Sequence, residues 1–271
     1  MRAAAFVLLL ALPVAAQDNS GLSRLETRDD LRGWEPVGRV DIDGGGFCTG
    51  ALIAPDLVLT AGHCVVEPGG IPVDAGRITF RAGLADGVAI AEAKVARTVV
   101  PEGFEARPQG PPEQLALDVA LLELATPIPT SVAAPFTVAR PGTGDKVSVV
   151  SYAEGREEAL SWQPVCTVLA QQDGLIAVDC DVTYGSSGAP VLDRSGYRAK
   201  IVSIISSGRR EEGRTVAFGM ELPGVVAMLK ARLRAGRVTS EALRTDEATR
   251  PGVKRITLGT GNDTGARFVK P

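Results

Sequence analysis

Leu57-Val58-Leu59-Thr60-Ala61-Gly62-His63-Cys64 is the stretch that decides how this chain is read. A short apolar, β-prone run ends in a turn of small residues, and the turn delivers an imidazole. His63 is the only histidine among 271 residues. An isolated histidine is by default a surface or core residue, but this setting is specific: a strand ends, the ring follows at once, and Cys64 can pin the turn to Cys48. An imidazole that titrates near neutrality is the natural base for drawing a proton from a hydroxyl.

Outward from this stretch the chain keeps the same grammar. It contains 31 Gly and 18 Pro, so turns are frequent and many short strands fit better than a helical bundle. Strands are read at 37–42, 46–54, 56–61, 77–82, 88–99 and 117–124, with a Pro-, Gly- and Glu-rich loop over 101–116. A second set follows at 146–152, 163–170, 174–180, 189–193, 199–206 and 214–221. Two groups of about six strands make the chain all-β, as two antiparallel barrels or sandwiches spanning about 37–125 and 140–222. From Pro223 the period changes: Val225, Val226, Met228, Leu229 and Leu233 recur at helical spacing, with Gly236 as the expected stop. The tail 237–271 carries seven Lys or Arg against four Asp or Glu and reads as extended or disordered. Asn262-Asp263-Thr264 fits a glycosylation sequon of a kind that arises often by chance.

Two further segments supply what a histidine base needs. Tyr184-Gly185-Ser186-Ser187-Gly188-Ala189-Pro190 packs small residues between two apolar strands, so that the Ser187 hydroxyl can project from a sharp bend. The backbone N–H groups of Gly185 and Ser187 would then form an oxyanion hole, worth roughly 3 kcal/mol for one donor. Taken alone, such a segment is equally a tight Gly-Ser turn. Leu117-Asp118-Val119-Ala120-Leu121-Leu122 places one carboxylate at the head of an apolar run. A carboxylate there requires a partner if it is buried, and orienting an imidazole is one such use.

The segments TAGHC, DVALL and GSSGAP, in the order His63, Asp118, Ser187, resemble the chymotrypsin/trypsin-like serine proteases. The order differs from that of subtilisins and α/β-hydrolases. Phe47-Cys48-Thr49-Gly50-Ala51-Leu52-Ile53 is similar to the family's strand that carries the partner of the histidine-loop cysteine. The flavour is that of the bacterial, glutamyl endopeptidase-like branch. The resemblance covers residues 37–236 and implies two antiparallel six-stranded β-barrels with a C-terminal helix. It also implies a catalytic triad of His63, Asp118 and Ser187 acting through an acyl-enzyme on protein or peptide substrates. A supporting hydroxyl and substrate-backbone contacts would come from Ser206, Ser207 and Gly208.

Departures from the family pattern are informative. Most animal members have Asp immediately before the nucleophile, to pair with a newly freed N-terminus; here Ser186 stands there, so the hole must be held otherwise. Ala189 replaces a second Gly. Asp181, six residues before Ser187, matches by count a pocket-floor carboxylate that would favour Arg or Lys before the cleaved bond. The count is weakened because Thr183 replaces the family's usual cysteine, and a solvated Asp181 beside Cys180 is the equal alternative. A preference for acidic residues is disfavoured, because glutamyl endopeptidases use a second histidine that this chain lacks.

The remaining features concern export. Arg2 and the apolar run from Ala3 to Ala16 read as a signal peptide over 1–16, with Val14-Ala15-Ala16 before the cut and a lead segment over 17–36. Fourteen apolar residues are too few to span a bilayer comfortably, and no second long apolar run follows, so no stable membrane anchor is expected. A secreted or periplasmic monomer is the expectation. In such a compartment Cys48, Cys64, Cys166 and Cys180 favour disulfides, and the two close pairs Cys48–Cys64 and Cys166–Cys180 are the preferred choice of three pairings. With no C-x-x-C and one histidine, neither a metal nor another cofactor is expected. A formal net charge of −3 argues against nucleic acid as partner. Two other functions use the same residues: a catalytically inactive binding module, which would usually have lost a triad member, and an esterase. A quality-control protease would need a peptide-binding domain that the tail is too short to supply.

Overall fold

The computed structural model describes residues 22–248 except 108–110 and 212–213. The expected signal peptide, the sequon and the tail beyond 248 lie outside the described residues. Six antiparallel strands close a barrel: β1 (Val37–Ile42), β2 (Phe47–Ala54), β3 (Leu57–Thr60), β4 (Ile78–Ala82), β5 (Ala91–Val99) and β6 (Ala120–Leu124). Their order around the barrel is β1-β2-β3-β6-β5-β4, with β4 returning to β1. Val40, Leu52, Val58, Ile78, Phe80 and Leu122 fill the interior. Close packing sets the small residues: a Cβ on Gly38 would lie 2.4 Å from the Phe80 ring, and one on Gly50 would lie 2.8 Å from Val58.

The second half contains β7 (Lys146–Ala153), β8 (Arg156–Gln172), β9 (Leu175–Val178), β10 (Pro190–Asp193), β11 (Lys200–Ile204), β12 (Ser207–Glu211) and β13 (Arg214–Met220). They join a nine-stranded sheet in the order β11-β10-β7-β8-β9-β13-β12, with two-residue strands at Thr137–Val138 beside β11 and Ser23–Arg24 beside β8. The backbone ladder does not close as it does in the first half. Side chains cross the seam between β11 and β13 instead. Ser203 Oγ accepts from Met220 N–H at 3.0 Å and donates to Met220 O at 2.9 Å. Gly219 permits the approach, since a Cβ there would sit 2.1 Å from Ile204 O.

Several boundaries differ from the sequence reading. β8 begins at Arg156 rather than 163, because charged Arg156-Glu157-Glu158 and the central Pro164 hide a strand whose register slips between Val147 and Val149. β12 is too polar (Ser-Gly-Arg-Arg-Glu) to read as a strand, yet it pairs residue for residue with β13. A short helix, Pro112–Ala116, stands in the expected loop. The lead segment is not merely polar: Leu25, Leu31 and Trp34 are buried, and Leu25 N–H donates to Leu160 O at 2.8 Å. The final helix runs from Pro223 to Ala248, past Gly236 and into the stretch read as extended. One internal Gly costs a helix only about 1 kcal/mol relative to Ala, and Glu241-Ala242-Leu243-Arg244 favours its continuation. The chain divides into two compact units between Ala231 and Arg232, and Val226 and Leu229 of the helix are buried in the first.

Candidate active site

The histidine loop is built by steric exclusion. After β3, Ala61 leads into a single turn, Gly62–Cys64, and the Cys48–Cys64 disulfide ties that turn back to β2. Gly62 has no room for a side chain: a Cβ would lie 2.8 Å from Phe104 and 3.1 Å from Asp118 Oδ1. The turn therefore presses its backbone against the carboxylate. Asp118 sits in the link between the helix Pro112–Ala116 and β6, and is only 4% exposed.

Three donors satisfy that buried charge. His63 N–H donates to Asp118 Oδ1 at 2.8 Å, His63 Nδ1 meets Oδ2 at 2.7 Å, and Ser206 Oγ–H donates to Oδ2 at 2.5 Å. With Nδ1–H as donor, Nε2 is the free basic nitrogen, and the His63 side chain stays 35% exposed. Burial by itself would lower the His63 pKa. The Asp118 hydrogen bond and the Asp118 charge outweigh it and leave the value above the ordinary 6.5. Cys48 and Cys64 sulfurs lie near the imidazole, but both are spent in their disulfide and offer no thiolate to a metal. A second disulfide joins Cys166 to Cys180 across β8 and the end of β9.

Ser187 reaches the histidine loop through its backbone. Ser187 O accepts from Thr49 N–H at 2.8 Å, and Thr49 O accepts from Thr60 Oγ–H at 2.8 Å. Gly188 (φ +77°) lies flat against the strand end that launches His63; a Cβ there would be 2.2 Å from Thr60 Oγ and 2.8 Å from Ala61 N. Ser187 Oγ makes no hydrogen bond among the described residues, as is common before substrate tightens a site.

Ser206 is drawn in by its hydroxyl. Ser207 and Gly208 open β12, which pairs with β13 on one side and has no second partner strand among the described residues. Val182 packs on Gly208, 2.9 Å from where a Cβ would be. Asp181 accepts from Thr215 Oγ–H at 3.2 Å, and its N–H donates to Gln163 Oε1 at 2.7 Å. Arg156, partly buried, has its pKa lowered by desolvation, an effect the nearby Asp181 charge opposes. Sequence reasoning missed Thr49, Ser151 and Glu154, which fasten the loop bearing Ser187. Thr49 stands inside a quoted motif, but nothing in its spacing signals a partner 136 positions away.

Comparisons with known proteins agree on the family and the fold. Residues 48–199 match the trypsin-like peptidase domain. Brachyurin of Leptuca pugilator is 30% identical over 171 residues, which is 60% of this chain and 70% of the relative. A cercarial protease of Schistosoma mansoni is 28% identical over 197 residues, with the same shares. A solved Glu endopeptidase shares the fold at a TM-score of 0.66 and 20% identity, over 80% of this chain and 99% of that one. A thermostable serine protease from an extremophilic microorganism does so at 0.57 and 21%, over 69% and 91%. With more than half of its length matching that domain, this chain belongs to the trypsin-like peptidase family and is a serine endopeptidase.

Proposed function

We propose that the chain is an exported endopeptidase that cleaves peptide bonds through His63, Asp118 and Ser187. His63 Nε2 takes the Ser187 proton as Oγ attacks the scissile carbonyl. The N–H groups of Gly185 and Ser187 receive the oxyanion, and His63 then protonates the leaving amine. Water repeats the cycle on the acyl-enzyme. The observation that carries this reading is the buried Asp118 carboxylate, which orients His63 through both its ring and its backbone N–H. Extended substrate would pair with the open edge of β12 at Ser207 and Gly208, with Asp181 reading the side chain before the cleaved bond. Export through residues 1–16 accords with two disulfides.

The test is labelling of the chain starting at Gln17 by a fluorophosphonate, beside Ser187→Ala. Labelling of the first alone supports an activated Ser187. Equal labelling of both removes Ser187 from the mechanism, and labelling of neither favours an inactive binding module.

A further inference from the structure

The loop 184–187 has a complete carbonyl account. Tyr184 O accepts from Glu154 N–H at 2.7 Å, Gly185 O from Thr49 Oγ–H at 2.9 Å, Ser186 O from Ala189 N–H at 2.9 Å, and Ser187 O from Thr49 N–H at 2.8 Å. A trans peptide points its N–H opposite its C=O, so fixing each carbonyl also aims each amide. Ser186 N–H finds Thr183 O at 3.0 Å and Gly188 N–H finds Ile205 O at 2.7 Å. Gly185 N–H and Ser187 N–H are the two amides of residues 185–188 that meet no acceptor among the described residues. Gly185 and Ser187 are only partly buried, so their two unpaired N–H groups, either side of Ser186, remain open to an external oxygen.

Thr49 is the residue that touches this loop twice. Its side chain is wholly buried, and its oxygen already accepts from Tyr152 N–H at 3.0 Å, so its proton must be donated. Gly185 O at 2.9 Å is a shorter acceptor than Tyr152 O at 3.3 Å. Gly185 (φ +87°) accepts the resulting bend, with the Phe47 ring 2.4 Å from where a Cβ would stand. On the other side Ser186 Oγ meets Ser151 Oγ at 3.1 Å, a neutral contact where an ion pair would need a charged terminus.

We propose that Thr49 is a positioning residue for the oxyanion hole. Together with the Glu154 N–H at the tip of the β7–β8 hairpin, it clamps two successive peptides so that Gly185 N–H faces the reacting carbonyl without any newly cut N-terminus. The inference rests on the assignment of Ser187 as nucleophile.

Three variants test it in the chain starting at Gln17. Thr49→Val keeps the shape and removes the donor, and Thr49→Ser restores it. Glu154→Pro removes the other N–H while suiting its turn, because Glu154 lies outside the left-handed region and Gly155 has φ +76°, the pattern of a type II turn that accepts Pro at its first central position. The readouts are kcat and KM on a fluorogenic peptide, and binding of a peptide aldehyde, which forms an oxyanion with Ser187, against the matching alcohol, which does not. Thr49→Val should lower kcat about 10- to 100-fold with KM within about twofold, weaken the aldehyde by the same factor and leave the alcohol unchanged. Thr49→Ser should return to within about threefold of the parent, and Glu154→Pro, whose ring also displaces the Tyr184 carbonyl, should repeat the Val signature with some loss of melting temperature. Unchanged kcat in either variant, or equal weakening of aldehyde and alcohol, overturns the clamp. If Thr49→Val does not fold, Glu154→Pro decides. If Ser187→Ala retains turnover, the nucleophile assignment falls and the clamp with it, whereas an active Thr49→Val beside a dead Ser187→Ala overturns the clamp alone.

Discussion

Ser206 Oγ donates to Asp118 Oδ2 at 2.5 Å, on the same oxygen that receives His63 Nδ1. The hydroxyl therefore competes with the imidazole for one carboxylate lone-pair region and shares in stabilising its charge. Ser206→Ala removes a hydrogen bond to a buried charge, worth about 1.5–3 kcal/mol. Turnover should fall about tenfold. Because Asp118 then has one donor fewer, its charge draws the imidazolium more strongly, and the pH–kcat/KM limb should move to higher pH. A limb that stays in place or moves down would show that Ser206 does not act through Asp118.

In the proposed mechanism the neutral imidazole is the base, so activity should rise with pH through the His63 pKa, which lies above the ordinary 6.5. Asp118→Asn removes both influences that raise it. The limb should drop below the parent's, while kcat falls roughly 10³- to 10⁴-fold because the wrong tautomer is favoured. Stability has the opposite sense: a raised folded pKa means that the His63 contribution is present below about pH 6.5 and fades as pH rises through the folded value. Titration of the ring by NMR, in parent and Asp118→Asn, checks both statements.

The first barrel was legible because its strands are apolar on both faces or alternate cleanly, as in Ala91–Val99, where Ala93 and Val95 are buried between exposed Glu92 and Lys94. β12 was not legible, because an edge strand that offers its backbone to a partner can carry any side chains, here two arginines. The neighbourhood of Asp118 and His63 could be read because a few adjacent residues define it. The clamp on the loop of Ser187 could not, since Thr49 meets Gly185, and Glu154 meets Tyr184, from distant parts of the sequence. Helix continuation past Gly236 was missed for a simpler reason: glycine lowers helix stability without forbidding it.

Gly188 combines φ +77° with backbone contacts that no side chain can evade, since a Cβ would fall 2.2 Å from Thr60 Oγ and 2.3 Å from Thr49 O. Gly188→Ala should cost at least about 3 kcal/mol, from strain plus displacement of packed backbone. Thermal unfolding should fall by roughly 6–12 °C for a domain of this size, and activity should fall with it. A soluble variant with the parent's melting temperature would contradict the packing described.

The Cys166–Cys180 bridge closes a loop with a separation of 14 residues. Loop-closure entropy gives about 3 kcal/mol for a loop of that length. The double replacement Cys166→Ala, Cys180→Ala should lower the melting temperature by roughly 6–12 °C and leave KM nearly unchanged, because both cysteines sit in the core of the second half rather than in the His63 loop. A large rise in KM would mean that the bridge also shapes the walls around Asp181.

Asp181 offers the sharpest test of substrate choice. Among the described residues its carboxylate accepts only the Thr215 hydroxyl, so a basic side chain entering beside it would gain a charged partner. Arg156 stands in the same field and weakens that attraction. Cleavage of a peptide library should therefore show a moderate preference for Arg and Lys before the cut. Asp181→Asn should lower kcat/KM for those peptides about 10- to 100-fold while sparing peptides with neutral residues there. Arg156→Gln removes the competing cation and should widen the preference. Should the parent show no basic preference, and Asp181→Asn change nothing, Asp181 is a solvated neighbour of Cys180 and the pocket is read by Val182 and Gly208 instead.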